Sequence, residues 1–121
     1  MANTFKVVTC AAEPASAGTE YVMYTVPGST TTIVLGLLLT NIHTAQITAT
    51  VRLISNTAKT GATGDANNTN SILIKNAPIP VGSSLEIMAG NKIVLETTDQ
   101  IDIDCSVADK LSGTLSIMEI T

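Results

Sequence analysis

The sequence predicts an all-β chain, a two-sheet antiparallel sandwich or jelly roll of eight or nine short strands, and three observations carry that reading. Apolar residues alternate with polar ones through most of the chain, as in Gln46–Leu53 (QITATVRL), the period of a half-buried strand. Turn signals built from Gly, Pro, Asn and Asp recur about every 8 to 12 residues, a spacing that suits sandwiches. No segment carries a convincing helical repeat. At 121 residues the chain fits one β-sandwich domain, 1–121, with a long exposed loop at 55–70.

The organising stretch is Thr30–Thr40, the most apolar run in the chain. In extended geometry Ile33, Leu35, Leu37 and Leu39 point one way, and Val34, Gly36 and Leu38 the other. A strand apolar on both sides is a central one, buried by a second layer or by a partner chain. Its threonines and β-branched aliphatics favour strand over helix.

Around it, Thr4–Cys10 alternates as a first strand, with Phe5, Val7 and Thr9 on one side, and Ala11–Gly18 reads as a loop. Glu20–Val26 is a strand with Tyr21 and Tyr24 on opposite faces, and Pro27-Gly28-Ser29 predicts an antiparallel hairpin with the central strand. Asn41–Ala45 is a turn. Gln46–Leu53 follows with Ile47, Ala49, Val51 and Leu53 inward, and Gln46, Thr48, Thr50 and Arg52 facing water. Ser55–Asn70 has no large apolar residue and reads as a loop ordered on assembly or left mobile. Ser71–Ala77 is a strand, and Pro78–Gly82 a rigid turn. Ser84–Met88 and Lys92–Glu96 read as a hairpin about Ala89-Gly90-Asn91, followed by a turn at Thr97–Asp99. Ile101–Val107 is a half-buried strand. In the last strand, Leu111–Ile120, Met118 and Ile120 fall out of phase with Leu115 and Ile117, predicting a bulge or two-sided burial.

Charged residues make up only 13%, so Thr, Ser and Asn must supply most of the polar surface. A net charge of −4 with six scattered Lys and Arg argues against nucleic acid as a partner, because phosphate backbones are gripped by clustered cations. No run approaches the ~18 apolar residues of a membrane span, and Met1–Cys10 lacks a signal-peptide core, so a membrane partner is not expected and synthesis in the cytosol is. Cys10 and Cys105 have no CxxC or His companion, which argues against zinc. They read as buried free thiols, with a disulfide as the alternative if their strands are neighbours.

Candidate chemistry is sparse. Asp99, Asp102 and Asp104 form a short acidic set whose last two members could share a calcium ion. The plainer reading is a solvated strand face whose charges oppose edge-to-edge aggregation. His43 is the only histidine and sits in a turn, and no serine is singled out as a nucleophile. The expectation is no catalytic, cofactor-binding or metal site, and no enzyme.

The segments TVPGSTTTIVLGLLLTNIHTAQITATV, ILIKNAPIPVGSSLEIMAGNKIVLETTDQIDIDCS and LSIMEI together resemble small virion structural proteins of tailed, cyanophage-like bacteriophages. The resemblance spans Thr25–Ile120. It implies a non-enzymatic virion protein assembled in the host cytoplasm, foremost a capsid decoration or cement protein bound to the major capsid protein, with a neck, tail or fibre component as the alternative. It also implies a homo-oligomer, such as a trimer, whose contacts use Ser55–Asn70 or the terminal strands within Met1–Cys10 and Leu111–Thr121. A carbohydrate- or cell-surface-recognition module is the second alternative, through Tyr21 or Tyr24.

Overall fold

The structure is a computed structural model that describes residues 2–58, 67–88 and 90–121. Among the described residues nine strands are formed: β1 (Asn3–Glu13), β2 (Tyr21–Thr25), β3 (Thr31–Asn41), β4 (Ile47–Ile54), β5 (Ser71–Ile79), β6 (Ser84–Glu86), β7 (Ile93–Leu95), β8 (Gln100–Cys105) and β9 (Leu111–Ile120). They build two antiparallel sheets. One runs β1-β9-β3-β6 with β7 also paired to β3, and the other runs β2-β8-β4-β5. With β6 and β7 counted as one interrupted strand, this is the eight-strand order of a jelly roll.

β3 is the central strand, as the apolar run predicts, paired to β9 from Thr31 to Asn41 and on its other edge to β6 and β7. Its inward residues Val34, Leu37 and Leu39 are buried to 2% exposure or less and meet Ile47, Val51, Ile101 and Ile103 of the second sheet in one core. Burying each such aliphatic side chain contributes roughly 1.5–3 kcal/mol before the entropy of ordering it. A bulge between Val34 and Gly36 switches the phase of β3 midway.

Both expected hairpins are corrected. β2 and β3 lie in different sheets. The link between them pairs instead with the β7–β8 turn: Val26 N–H donates to the Asp99 carbonyl (3.0 Å), Thr98 N–H to the Val26 carbonyl (3.1 Å), and Thr97 Oγ1 to the Thr30 carbonyl (2.9 Å). Ser29, at φ 54°, turns the chain across the corner. β6 and β7 do not pair with each other either. Both run antiparallel to β3, so they continue one strand that leaves the ladder after the Ile87 N–H to Leu37 carbonyl bond and returns at Ile93 opposite Val34.

Four smaller expectations also change. β1 runs on to Glu13, through part of the expected loop, because its pairing with β9 resumes past a bulge at Glu13↔Leu111. β5 continues through Pro78 to Ile79, and as an edge strand it tolerates a residue with no N–H. β9 alternates without a slip: Leu111, Gly113, Leu115, Ile117 and Glu119 are inward, Met118 and Ile120 outward. Thr50 does not face water. Asn76, at φ 48°, bulges β5 over it, its N–H donating to Thr50 Oγ1 at 2.9 Å and leaving Thr50 2% exposed. At the base of the long loop, Ala58 bridges Asn67 and Asn68 ties Ser55 to Thr57. The expectation of order or mobility at its tip concerns 59–66, outside the described residues.

Gly113 sits inward on β9 opposite Cys10, and a Cβ there would lie 3.0 Å from Met23 Cε and 3.1 Å from Cys10 Sγ. Gly113→Val is therefore expected to overpack this corner and lower stability by about 1–3 kcal/mol, read as the denaturant midpoint at unchanged m-value.

Candidate functional site

The outward surface of the β1-β9-β3-β7 sheet is built by register. Phe5 pairs with Met118, Met118 with Ile33, and Ile33 with Val94, so four strands set four apolar side chains side by side in one row. Phe5 is 72% exposed, Val94 61% and the neighbouring Val7 63%. The flanking rows are Asn3–Ile120–Thr31, Val7–Ser116–Gly36 and Thr9–Thr114–Leu38–Glu86. Across these four rows Glu86 alone is charged. A contiguous apolar strip nearly free of charge is the kind of surface that soluble proteins reserve for contact.

Beside the row lies a depression of about 270 Å³ lined by Gly36, Leu37, Leu38, Glu86, Thr114 and Ser116. Its origin is local. Gly36 has no side chain, nothing lies within 4 Å of the position its Cβ would occupy, and the strand formed by β6 and β7 is interrupted alongside.

Under the same sheet a polar network fixes the strand ends. Tyr24 Oη donates to Glu119 Oε2 at 2.6 Å and lies 2.8 Å from Thr32 Oγ1, while Lys6 Nζ pairs with Glu119 Oε1 at 2.6 Å. The register shift between Val22 and Tyr24 turns Tyr24 inward, so the expected separation of Tyr21 and Tyr24 onto opposite faces is corrected. Burial and the bond to Glu119 push the Tyr24 hydroxyl up to about 12. Tyr24 faces inward and packs half-buried against the core, so its ring is not an open platform for a sugar to stack on. The hydrogen bonds from Lys6 and then Tyr24 hold the Glu119 carboxyl below its ordinary value.

The acidic set divides, and its expected solvation is corrected. Asp99 closes a turn, its Oδ2 accepting Glu96 N–H at 3.0 Å. Asp102 and Asp104 are 3% and 8% exposed on the outward side of β8, because Arg52 lies across them. Arg52 Nη1 pairs with Asp104 Oδ2, and its Nε sits 3.2 Å from Glu20 Oε1. Asp102 is pushed up to about 6, by burial first and then by its hydrogen bond and repulsion with Glu20. Among the described residues no group of three or more His, Cys, Asp or Glu has a geometry that could hold a metal ion. His43 sits in a turn fixed by Asn41, whose Oδ1 accepts His43 N–H at 2.7 Å and whose Nδ2 donates to the Ile79 carbonyl at 2.8 Å. Cys10 and Cys105 are buried free thiols on strands of opposite sheets, both with pKa raised by burial.

Sequence reasoning named the terminal strands as contact candidates and noted Phe5 and Val7 on one side of the first. It missed that β1 lies beside β9 and that the outward residues of four strands line up. The one signal pointing there was the two-sided apolarity of β3.

No protein-family model matches the chain, and no curated protein matches it. Among solved structures the chain is similar to a protein described as "Bacillus endospore appendages form a novel family of disulfide-linked pili", with a TM-score of 0.46 and 15% identity over 99% of this chain and 87% of that one. At that identity the likeness concerns the fold alone. The similar structure is an endospore pilus protein rather than a phage particle protein, and the expected bacteriophage role, capsid decoration or neck and tail, is corrected on that finding. The residues that carried the resemblance explain the error. Pro27-Gly28, Pro78-Ile79-Pro80 and Gly82 lie at strand ends and in the connections between strands, where they shape a β-sandwich without identifying its partners.

Two expectations follow from the buried carboxyls. Asp102 has a raised pKa in the fold, so between its ordinary value of 3.8 and about 6 the folded chain holds a proton that the unfolded chain has lost. The stability this supplies is complete below that window and is lost as pH rises through it. Asp102→Asn is expected to raise the melting temperature at pH 8 while changing it little at pH 4, checked by thermal melts at both. Glu119 has the opposite sign: its contribution is present above the ordinary carboxylate value and is lost as pH falls through its depressed one. Glu119→Gln is expected to cost about 1–3 kcal/mol at pH 7 by weakening the bonds to Lys6 and Tyr24, with the deficit shrinking in acid.

Proposed function

We propose that this chain is a non-enzymatic structural subunit that works by associating with copies of itself through the outward face of the β1-β9-β3-β7 sheet. The observation that carries the reading is the four-strand row Phe5–Met118–Ile33–Val94, apolar throughout, with Phe5 and Val94 exposed at its ends and Met118 and Ile33 half-buried between them, on a chain whose other sheet covers only the inner side of β3. Composition supports it. With 13% charged residues and a polar surface made mostly of Thr, Ser and Asn, little repulsion opposes stacking of copies. Size supports it as well. β1, β9 and β3, of ten or eleven residues each, with β6 and β7 of three residues each along the far edge, outline roughly 600 Å² at about 4.8 Å between strands and 3.3 Å per residue, approaching the ~800 Å² per partner of a standard interface.

Sedimentation velocity over a concentration series tests this. The wild-type chain is expected to sediment as an oligomer. Val94→Asp, which sets a carboxylate in the row, is expected to yield a monomer with an unchanged melting temperature. Val81→Asp, at an exposed residue between β5 and β6, is expected to leave the oligomer intact. A wild-type chain that stays monomeric throughout the series overturns the reading.

A further inference from the structure

Resting on that self-association, we infer that the outward face carries both halves of one reciprocal joint: the Phe5 ring of one copy seats in the Gly36–Ser116 depression of a second copy, and the second copy's Phe5 seats in the first. Phe5 is the chain's only phenylalanine and, among the described residues, the most exposed large apolar side chain, at 72%. The depression lies on the same face, two strands across from β1 and between one and two side-chain rows along it. From strand and residue spacings the two features are about 14 Å apart. A two-fold axis lying in the contact plane and bisecting that separation places each ring over the other copy's depression, so one symmetry operation satisfies both, as an isologous dimer requires.

The depression suits a ring. Its floor is Gly36 and the small Ser116, Leu38 supplies apolar surface, and its volume of about 270 Å³ exceeds several times the ~30 Å³ that one water occupies in the liquid. Glu86 and Thr114 stand at its rim, where a phenyl ring's positive edge meets an acidic oxygen favourably. A second copy is favoured over a foreign apolar segment because protrusion and depression share one face and because Glu86 is the only charge in the rows, so two copies of a chain of net charge −4 meet there without massed like charge.

Mixing two variants tests the joint. Phe5→Ala removes the protrusion and leaves the depression, whereas Ser116→Trp fills the depression and leaves the protrusion; both positions are exposed, so the fold tolerates each, which matching melting temperatures verify. Each variant alone is expected to dissociate at least tenfold more readily than wild type in sedimentation equilibrium. Mixed in equal amounts they are expected to form a one-to-one heterodimer, because the protrusion of Ser116→Trp finds the open depression of Phe5→Ala and the other joint is absent without a clash. A Ser116→Trp chain that dimerises like wild type, or a mixture no more associated than its parts, overturns the joint while leaving self-association through the face standing. A wild-type chain with no dimer to lose overturns the reading beneath it.

Discussion

The rest of the fold depends on β3 being hydrogen-bonded along both edges while its two faces meet different surroundings. On one edge β9 follows it for its whole length, and on the other β6 and β7 share it. Its inner residues Val34, Leu37 and Leu39 lie against the second sheet, which fixes the sandwich. Its outer residues Ile33 and Leu38 are apolar too, and no layer of the described chain covers them. The bulge at Val34–Gly36 lets one strand serve both purposes. It keeps Leu37 and Leu39 in the core after the phase change and leaves Gly36 on the outer face as the floor of the depression.

Polar groups are placed so that the core remains aliphatic. Tyr24, Glu119, Lys6 and Thr32 gather where the sheets open, each with a partner, so the inward-facing Glu119 carries little penalty for its burial. On the far side of the molecule Arg52 gathers Glu20 and Asp104 on the outer surface of the second sheet. Asp102, with one oxygen lacking a hydrogen-bond partner, is the exception there, and it makes that cluster lose stability as pH rises, opposite in sign to Glu119. Both outer surfaces are therefore distinct: one is laced by ions, the other is apolar.

Much of this was legible in residues, and the failures have physical reasons. The central strand could be read because two-sided apolarity has few other solutions, and β4 because its alternation is strict. Strand partners could not be read from link length. Pro27-Gly28-Ser29 is short enough for a hairpin, yet Thr30, Thr97 and Asp99 supply the hydrogen bonds that let the chain change sheets instead. Local pattern likewise hides what lies across a bulge. Asn76 buries Thr50, and the β2 irregularity turns Tyr24 inward, although period-two counting puts Thr50 outside and Tyr24 on the face opposite Tyr21. The outward row was hidden for the same reason, since Phe5, Met118, Ile33 and Val94 lie far apart in sequence and only register makes them neighbours.

The central claim is that the outward face becomes buried between copies, and methionine oxidation footprinting as a function of protein concentration tests it most directly. Met118 lies in the row, whereas Met23 and Met88 are buried within the chain at 6% and 4% exposure and serve as internal references. Sulfoxide formation at Met118 is expected to slow as concentration rises while Met23 and Met88 stay slow throughout. Oxidation of Met118 at one rate from dilute to concentrated solution would contradict the account.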